Sequence, residues 1–244
     1  MSTPTSVARS LFYGAANVLH PRMLWLMLWP MLLALAIWGT AALFLWARTA
    51  FALAAWLERG LEWALSWAHL DLQAVALVAA NVLLFLGFVP LVYLTALFIL
   101  SVFGMQKMVA YVAERAFPGL ERRRGGGVAG SGWNALVAFL GMLALAVLSL
   151  PFWFFPLLWP AIPIVVLGWV NQRLLRYDAL AEHADANEMA ALFRARRGAL
   201  YALGMLLALA AYVPVLGFFT PVLFGLAFIH YLLSALAAER SAPG

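Results

Sequence analysis

The sequence predicts an all-α, polytopic integral membrane protein, and three observations carry this prediction. Apolar residues make up 66% of the chain and charged residues 10%, whereas soluble domains carry about a quarter charged residues. Four long blocks contain no charged residue: Met23–Ala47, Leu72–Gln106, Trp133–Gln172 and Gly198–Ala238. Proline interrupts the last two blocks near their midpoints. We therefore expect two long transmembrane helices, two proline-broken helical hairpins and short amphipathic helices in one membrane domain, residues 1–244.

The last block, 198–238, is the clearest case for a hairpin. Its 41 residues would form a straight helix about 60 Å long, roughly twice the hydrocarbon thickness of a bilayer. The chain must therefore fold back, and Pro214, Gly217 and Pro221 predict where the turn lies. The two arms have about the minimum length needed to cross. Length alone leaves open whether this hairpin spans the membrane or stops halfway.

The two long spans are predicted at 23–47 and 72–103. Before the first span, residues 1–20 have the pattern of a short interfacial helix, and a partly ordered tail is the alternative. The apolar face holds Val7, Leu11, Ala15, Val18 and Leu19, and the polar face holds Arg9, Ser10, Tyr13 and Asn17. Between the spans, Thr49–Asp71 mixes charges with tryptophans on one helical face. It therefore predicts an amphipathic helix at the headgroup level, an aromatic belt rather than a ligand platform.

The first hairpin is predicted at 133–172, with Pro151 and Pro156 at its turn. Sliding the sequence by 63 residues superposes this block on the last one, so that Pro151 falls on Pro214. We interpret this match as an internal repeat of two broken hairpins. Membrane transport proteins often pair such interrupted segments, which makes both turns candidate parts of a pathway.

A polar connector, residues 173–197, joins the two hairpins. Asp185-Ala-Asn187-Glu188 predicts the acidic start of a helix. His, Asp and Glu of this segment are metal-ligand types, but their spacing fits no known metal site, and we predict none. The connector residues singled out are Arg173, Arg176, Asp178, Glu182, His183, Glu188, Arg194 and Arg197.

The loop Glu121–Gly132 combines three consecutive arginines with a glycine run and is predicted to be flexible. Such a cluster either cradles an anion or marks the cytoplasmic face. If both broken blocks return to their starting side, 13 of the 15 Lys and Arg share one side, and Arg48 and Arg59 lie opposite. The positive-inside rule then predicts a multi-pass protein of the bacterial inner membrane with both termini cytoplasmic.

Composition also limits the chemistry. The chain has no cysteine, which excludes disulfides and thiolate catalysis. The net charge of +5 is better explained by topology and anionic lipid than by nucleic acid, because the arginines form no stacking surface with aromatic residues. No nucleophile–base pair or phosphate loop can be assembled, so we expect neither an enzyme nor a bound cofactor.

The chain resembles the etoposide-induced-protein/CysZ-like family of bacterial inner-membrane proteins. The resemblance is most specific in the connector, Arg173–Ala184 followed by Glu188 and Arg194–Arg197, and in Pro21 and Pro30 at the entry to the first span. It implies two long helices, two partly penetrating hairpins and homo-oligomeric assembly. The best-understood branch transports sulfate and holds the anion with helix N-terminal amides and arginine. The equivalent position here offers Arg22, two positions early, with Leu24 and Trp25 where basic residues would be expected.

Two functions remain open at this point. The first is an anion permease or channel for sulfate or a related sulfur oxyanion, with Arg22 either as an anion ligand or as a residue that snorkels to the headgroups. The second is a membrane scaffold or assembly factor without a transported substrate, because ion pathways usually carry ionisable residues inside the spans. Within the spans, Asn81, Thr95, Ser101, Asn134 and His230 are the notable polar residues.

Overall fold

A computed structural model describes residues 3–65 and 71–241. All regular structure in those residues is helical, and five helices are long and apolar enough to cross a membrane, which confirms the predicted class. The α-helices are α1 Thr3–Val18, α2 Pro21–Leu65, α3 Leu72–Ala116, α4 Val128–Ser149, α5 Ala161–Leu180, α6 Ala186–Ala195, α7 Arg197–Ala210 and α8 Pro214–Ser241. Two 3-10 turns, Leu150–Phe154 and Pro156–Leu158, connect α4 to α5.

Helix α2 continues unbroken past Arg48 to Leu65 and is therefore longer than the predicted span 23–47, whose bounds in the membrane stay a prediction. A charged residue ends a hydrophobic run without ending a helix, and residues 47–57 contain no proline or glycine. The separate amphipathic helix expected at 49–71 is therefore the second half of α2. Trp67 of the expected aromatic belt lies outside the described residues.

The contacts divide the chain into two compact units, and the smaller is Trp25–Val102. In it, α2 and α3 pack as an antiparallel pair through small side chains, with Ala34 near Ala96 at one end and Ala54 near Ala76 at the other. Two of the notable polar residues are paired here. The indole N–H groups of Trp38 and Trp46 donate to Thr95 Oγ1 and Asn81 Oδ1, each at 2.9 Å.

The larger unit comprises Met1–Leu24 and Phe103–Gly244. Its centre is α8, whose fully buried side chains are apolar except for that of Tyr231: Val222, Leu226, Ala227, Phe228, Ile229, Leu232, Leu233 and Leu236. Helices α1, α5 and α7 pack around α8. By contrast, α4 and the two 3-10 turns leave large apolar side chains exposed, as expected for surfaces that face lipid.

Helix α1 packs on α8, and residues of both predicted faces are buried: Val7 and Val18 of the apolar face and Ser10 of the polar face. Gly14 lies against Leu223 and Ala227 of α8, whereas Ala15 is exposed. Small and short polar residues let the two helices approach closely, and the interfacial position of α1 stays a prediction.

The turn of the second hairpin lies at 211–213, earlier than predicted. Pro214 is the first residue of α8, where the missing N–H costs nothing. Gly217 and Pro221 are therefore inside α8 and not in the turn. Since a proline cannot bond to the carbonyl four residues earlier, the Gly217 carbonyl instead accepts a hydrogen bond from the Thr220 hydroxyl.

Helices α5 and α7 cross at two glycines. A Cβ built on Gly204 would lie 2.3 Å from the backbone carbonyl oxygen of Gly168, and one built on Gly168 would lie 2.7 Å from Met205 Cγ. The absence of side chains at both positions therefore sets the separation of the two helices.

We expect Gly204→Ala to destabilise the protein by about 1–3 kcal/mol, because a backbone atom cannot move aside as a side chain can. Thermal unfolding of purified protein in detergent measures the effect. Gly198→Ala, on the same helix with no atom within 4 Å of the added Cβ, is the matched control and should leave the midpoint unchanged. Equal midpoints for both variants would contradict the close crossing.

The 14 residues of α7 extend about 21 Å, less than the roughly 30 Å hydrocarbon core. If Arg197 lies at the cytoplasmic headgroups, the turn at 211–213 stays inside the membrane. Because the chain has no cysteine, Val213→Cys can be labelled cleanly. We expect no labelling by an impermeant maleimide in intact cells, whereas Gly119→Cys should react after permeabilisation. Labelling of Val213→Cys in intact cells would contradict a turn that stays inside the membrane.

Candidate functional site

The candidate site starts at the junction of α1 and α2, where His20 is the central residue. Its carbonyl accepts the backbone N–H groups of Met23 and Leu24 at 2.8 and 3.0 Å. The backbone N–H of Arg22 lies 3.3 Å from its Nδ1 atom. The first amides of α2 are therefore already bonded within the chain.

Helix α3 brings Tyr111 and Arg115 to His20. Arg115 Nη1 lies 3.1 Å from His20 Nε2 and donates to the Tyr111 hydroxyl at 3.1 Å. The Tyr111 hydroxyl donates in turn to Asn17 Oδ1 at 3.0 Å. Tyr111 is buried whereas Arg115 is exposed, so this chain of bonds anchors an accessible guanidinium.

The two contacts of the His20 ring cannot both be hydrogen bonds. A neutral imidazole has one N–H and one acceptor nitrogen, yet Arg22 and Arg115 each present an N–H to it. At one of the two ring nitrogens, an N–H of the ring therefore points at the N–H of an arginine. If the ring were protonated, two N–H groups would oppose each other at both nitrogens. Converging donors are satisfied by an anionic oxygen that accepts from both.

Behind this junction lies an enclosed group around His230 of α8. Its Nδ1 atom is 3.0 Å from Ser10 Oγ, and its ring stacks on Tyr13 with centroids 4.3 Å apart. Ser10 Oγ also donates to the Ser6 carbonyl at 3.0 Å, so its lone pair accepts from the His230 N–H. The fully buried Ser10 therefore joins α1 to α8, which is a structural role.

The Tyr13 hydroxyl is buried and has no hydrogen-bond partner among the described residues. Burial, with a smaller effect of Tyr111, raises the pKa of Tyr13, while Arg115 acts in the opposite direction. Tyr13 consequently keeps its proton near neutral pH and remains a hydrogen-bond donor.

Arg22, the residue predicted to bind an anion, is exposed at the start of α2 and is linked to the site through its backbone N–H. The resemblance implied that helix amides would hold the anion, but His20 occupies the N–H of Arg22, Met23 and Leu24. The cationic groups available at this end of α2 are therefore the side chains of Arg22 and Arg115.

Sequence reasoning missed His20 and Arg115 as site residues, and it named His230 only as a notable polar residue of the last block. His20 and Arg115 are 95 positions apart, and Ser10 and His230 are 220 apart. No local periodicity or motif connects residues at such separations, and a single sequence carries no signal for them.

The connector forms a second polar centre, with Glu188 of α6 as its hub. Arg240 of α8 binds both Glu188 carboxylate oxygens, at 2.9 and 2.8 Å, and also donates to the His183 carbonyl. Arg123 adds a bond to Glu188 Oε1 at 2.9 Å. Asp185 and Glu188 form a capping box at the start of α6, which confirms the predicted helix start.

The pKa of two connector residues is shifted by this arrangement. The hydrogen bond from Arg240 lowers the pKa of Glu188 to about 2, although partial burial opposes it. Burial and the nearby Arg122 and Arg240 lower the pKa of the enclosed His183, and Glu182 acts against them. Glu188 is therefore ionised and His183 neutral near neutral pH.

The glycine run in the arginine-rich loop was predicted to be flexible, but it is docked. The backbone N–H groups of Gly125 and Gly126 donate to the carbonyls of Ala184 and Ala181 at 2.9 and 3.0 Å. A Cβ on Gly125 would lie 2.4 Å from the Cα atom of Asp185. The glycines therefore permit close backbone approach.

The remaining predicted connector residues separate into different environments. Asp178 accepts a hydrogen bond from Ser131 at 2.6 Å, and the exposed Arg194 donates to its own helix at Ala190. Arg173 and Arg176 lie on the last turns of α5, and Arg197 starts α7. No group of three or more His, Asp or Glu that could hold a metal occurs in 3–65 and 71–241.

We expect Glu188→Gln to destabilise the protein by about 1–3 kcal/mol at neutral pH, because the bonds to Arg240 lose their charge. The folded pKa of about 2 lies below the ordinary 4.5. The stabilisation is therefore complete above about pH 4.5 and is lost as the pH falls towards 2. Thermal unfolding at several pH values checks this.

Wild type and Glu188→Gln should converge on acidification, whereas the exposed Glu239→Gln should match wild type throughout. A gap between wild type and Glu188→Gln that stays constant down to the lowest pH would contradict the assignment.

Comparisons with known proteins agree with this architecture. The family model described as Sulfate transporter CysZ/Etoposide-induced protein 2.4 matches residues 10–221. No curated protein and no solved structure matches the chain. The matched region runs from α1 through the start of α8 and includes His20, Arg22 and Arg115. The chain therefore belongs to the family of the sulfate transporter CysZ and etoposide-induced protein 2.4.

Proposed function

We propose that this protein is an inner-membrane permease or channel for a small inorganic anion, with sulfate or a related sulfur oxyanion as the substrate. It works as a homo-oligomer with both termini on the cytoplasmic side. The observation that carries the proposal is the donor conflict at His20. Arg22 and the exposed Arg115 each direct an N–H at the His20 ring, which can accept only one of them.

In this proposal the anion binds between His20 and Arg115, with Arg22 as an additional cation. A tetrahedral oxyanion accepts from His20 Nε2 and Arg115 Nη1 together, which removes the donor conflict. The buried Tyr111 and Asn17 hold Arg115 in place, so little side-chain entropy is lost on binding. The resemblance implies helix amides and arginine as anion ligands, and the proposed site keeps arginine but has His20 in place of the amides.

The electrostatic pattern supports an anionic substrate. If both hairpins begin and end on the cytoplasmic side, most of the arginines lie on that side of the membrane. Within the described residues, no carboxylate forms an ion pair with Arg22 or Arg115. Uncompensated cations at a site entrance raise the local concentration of anions.

A non-transporting scaffold is the second candidate, and the packing of α8 favours it. The centre of the larger unit is filled by fully buried apolar side chains such as Phe228 and Leu232. Within the described residues these side chains close the centre of the larger unit, so a pathway would have to form between subunits or after a conformational change.

We expect Arg115→Gln to reduce sulfate uptake into proteoliposomes about tenfold, because one charge-assisted hydrogen bond to the anion is lost. Labelled sulfate uptake, compared with that of empty vesicles, is the measurement. Arg48→Gln is the matched control, since Arg48 is exposed on α2 outside the site, and it should transport as wild type does.

Absence of uptake by wild-type protein with sulfate, thiosulfate and sulfite would contradict the permease. Stoichiometric co-purification of one partner protein, together with that absence, would favour the scaffold. Normal uptake by Arg115→Gln would place the substrate elsewhere.

A further inference from the structure

A group of three arginines lies where α5 meets α7, and it is separate from the His20 site. Arg173 and Arg176 are on the last turns of α5, and Arg197 is the first residue of α7. Arg173 and Arg176 are three residues apart on α5 and therefore lie on the same face of that helix, and Arg197 adds a positive charge that acts on Arg176. We name Arg173, Arg176 and Arg197 the arginine triad.

The triad is not neutralised by the protein. The ion pairs in the described residues join Arg123 and Arg240 to Glu121, Asp185 and Glu188, and none includes a triad member. The nearest carboxylate in sequence, Asp178, accepts its hydrogen bond from Ser131. Like charges that are held together without a counter-charge repel one another and weaken the fold.

Two of its donors are also left without an acceptor. The Nε atoms of Arg173 and Arg176 are shielded from solvent, and neither has a hydrogen-bond partner in the described chain. A buried N–H without an acceptor costs about 1–3 kcal/mol. The exposed Arg197 leaves the triad open to a ligand from outside.

The central guanidinium is held in a fixed orientation. Arg176 Nη1 donates to Gln172 Oε1 at 3.2 Å, and its guanidinium carbon lies 4.7 Å from the ring centroid of Phe193. An arginine fork that is held by an aromatic face and an amide is preorganised for bidentate contacts with oxyanions. Lysine would supply the charge without this geometry.

We propose that the arginine triad binds one tetrahedral oxyanion, a phosphate or sulfate group, at the cytoplasmic end of α5 and α7. The anion accepts from guanidinium N–H groups of the triad and neutralises the three cations. The group belongs either to the headgroup of an anionic lipid or to a free ion. This inference is independent of the proposed transport function, because it concerns other residues and predicts binding, not flux.

The test measures binding by purified, delipidated protein. Equilibrium dialysis with labelled phosphate and labelled sulfate tests a free ion, and native mass spectrometry with phosphatidylglycerol or phosphatidylcholine tests a lipid. We expect Arg176→Gln to weaken binding at least about tenfold, the loss of one charge-assisted bond. The exposed Arg194→Gln is the matched control and should bind as wild type does.

The binding results distinguish a soluble ion from a lipid headgroup. Binding of the free ions that is lost in Arg176→Gln supports a soluble ligand. Retention of phosphatidylglycerol over phosphatidylcholine, lost in the same variant, supports a lipid headgroup. Arg176→Lys keeps the charge and serves as the folding control; its binding should also be weaker. Equal binding by wild type and Arg176→Gln, or no binding of any probe by wild type, would overturn the proposal.

Discussion

The burial of α8 is the constraint on which the larger unit depends. Its fully buried face is apolar except for Tyr231, and α1, α5 and α7 surround it. Within a bilayer, apolar side chains gain little by leaving lipid, so close packing has to hold the helices together. Glycines supply that closeness, at Gly14 against α8 and at Gly204 against Gly168.

The same buried helix also orders the polar parts of the molecule. His230 at its middle is bound by Ser10 and stacked on Tyr13, which fixes α1. Arg240 near its end binds Glu188 and fixes the connector. His20 follows directly after α1 in the chain. The packing of α1 on α8 therefore also fixes the position of His20 in the candidate anion site.

Two predictions failed for related physical reasons. The glycine run at 125–127 was expected to be flexible, yet Gly125 and Gly126 are docked on the connector because a glycine permits contact as readily as motion. The polar face of α1 was expected to face outward, yet Ser10 is buried since it has a partner on α8. Residue type alone does not decide whether a glycine run is docked or a serine is buried. In both cases the contacting residues lie far away in the sequence.

The sequence by itself determined the all-helical membrane class, the long helix α3 and the capping box at Asp185, because composition, run length and capping are local properties. It placed the second turn only approximately, since proline starts a helix as readily as it breaks one. The tertiary structure alone decided that His20 meets Arg115 and that the triad of Arg173, Arg176 and Arg197 has no counter-charge. The His20–Arg115 contact joins residues 95 positions apart, and the triad joins the end of α5 to the start of α7, so the packing of helices decides both.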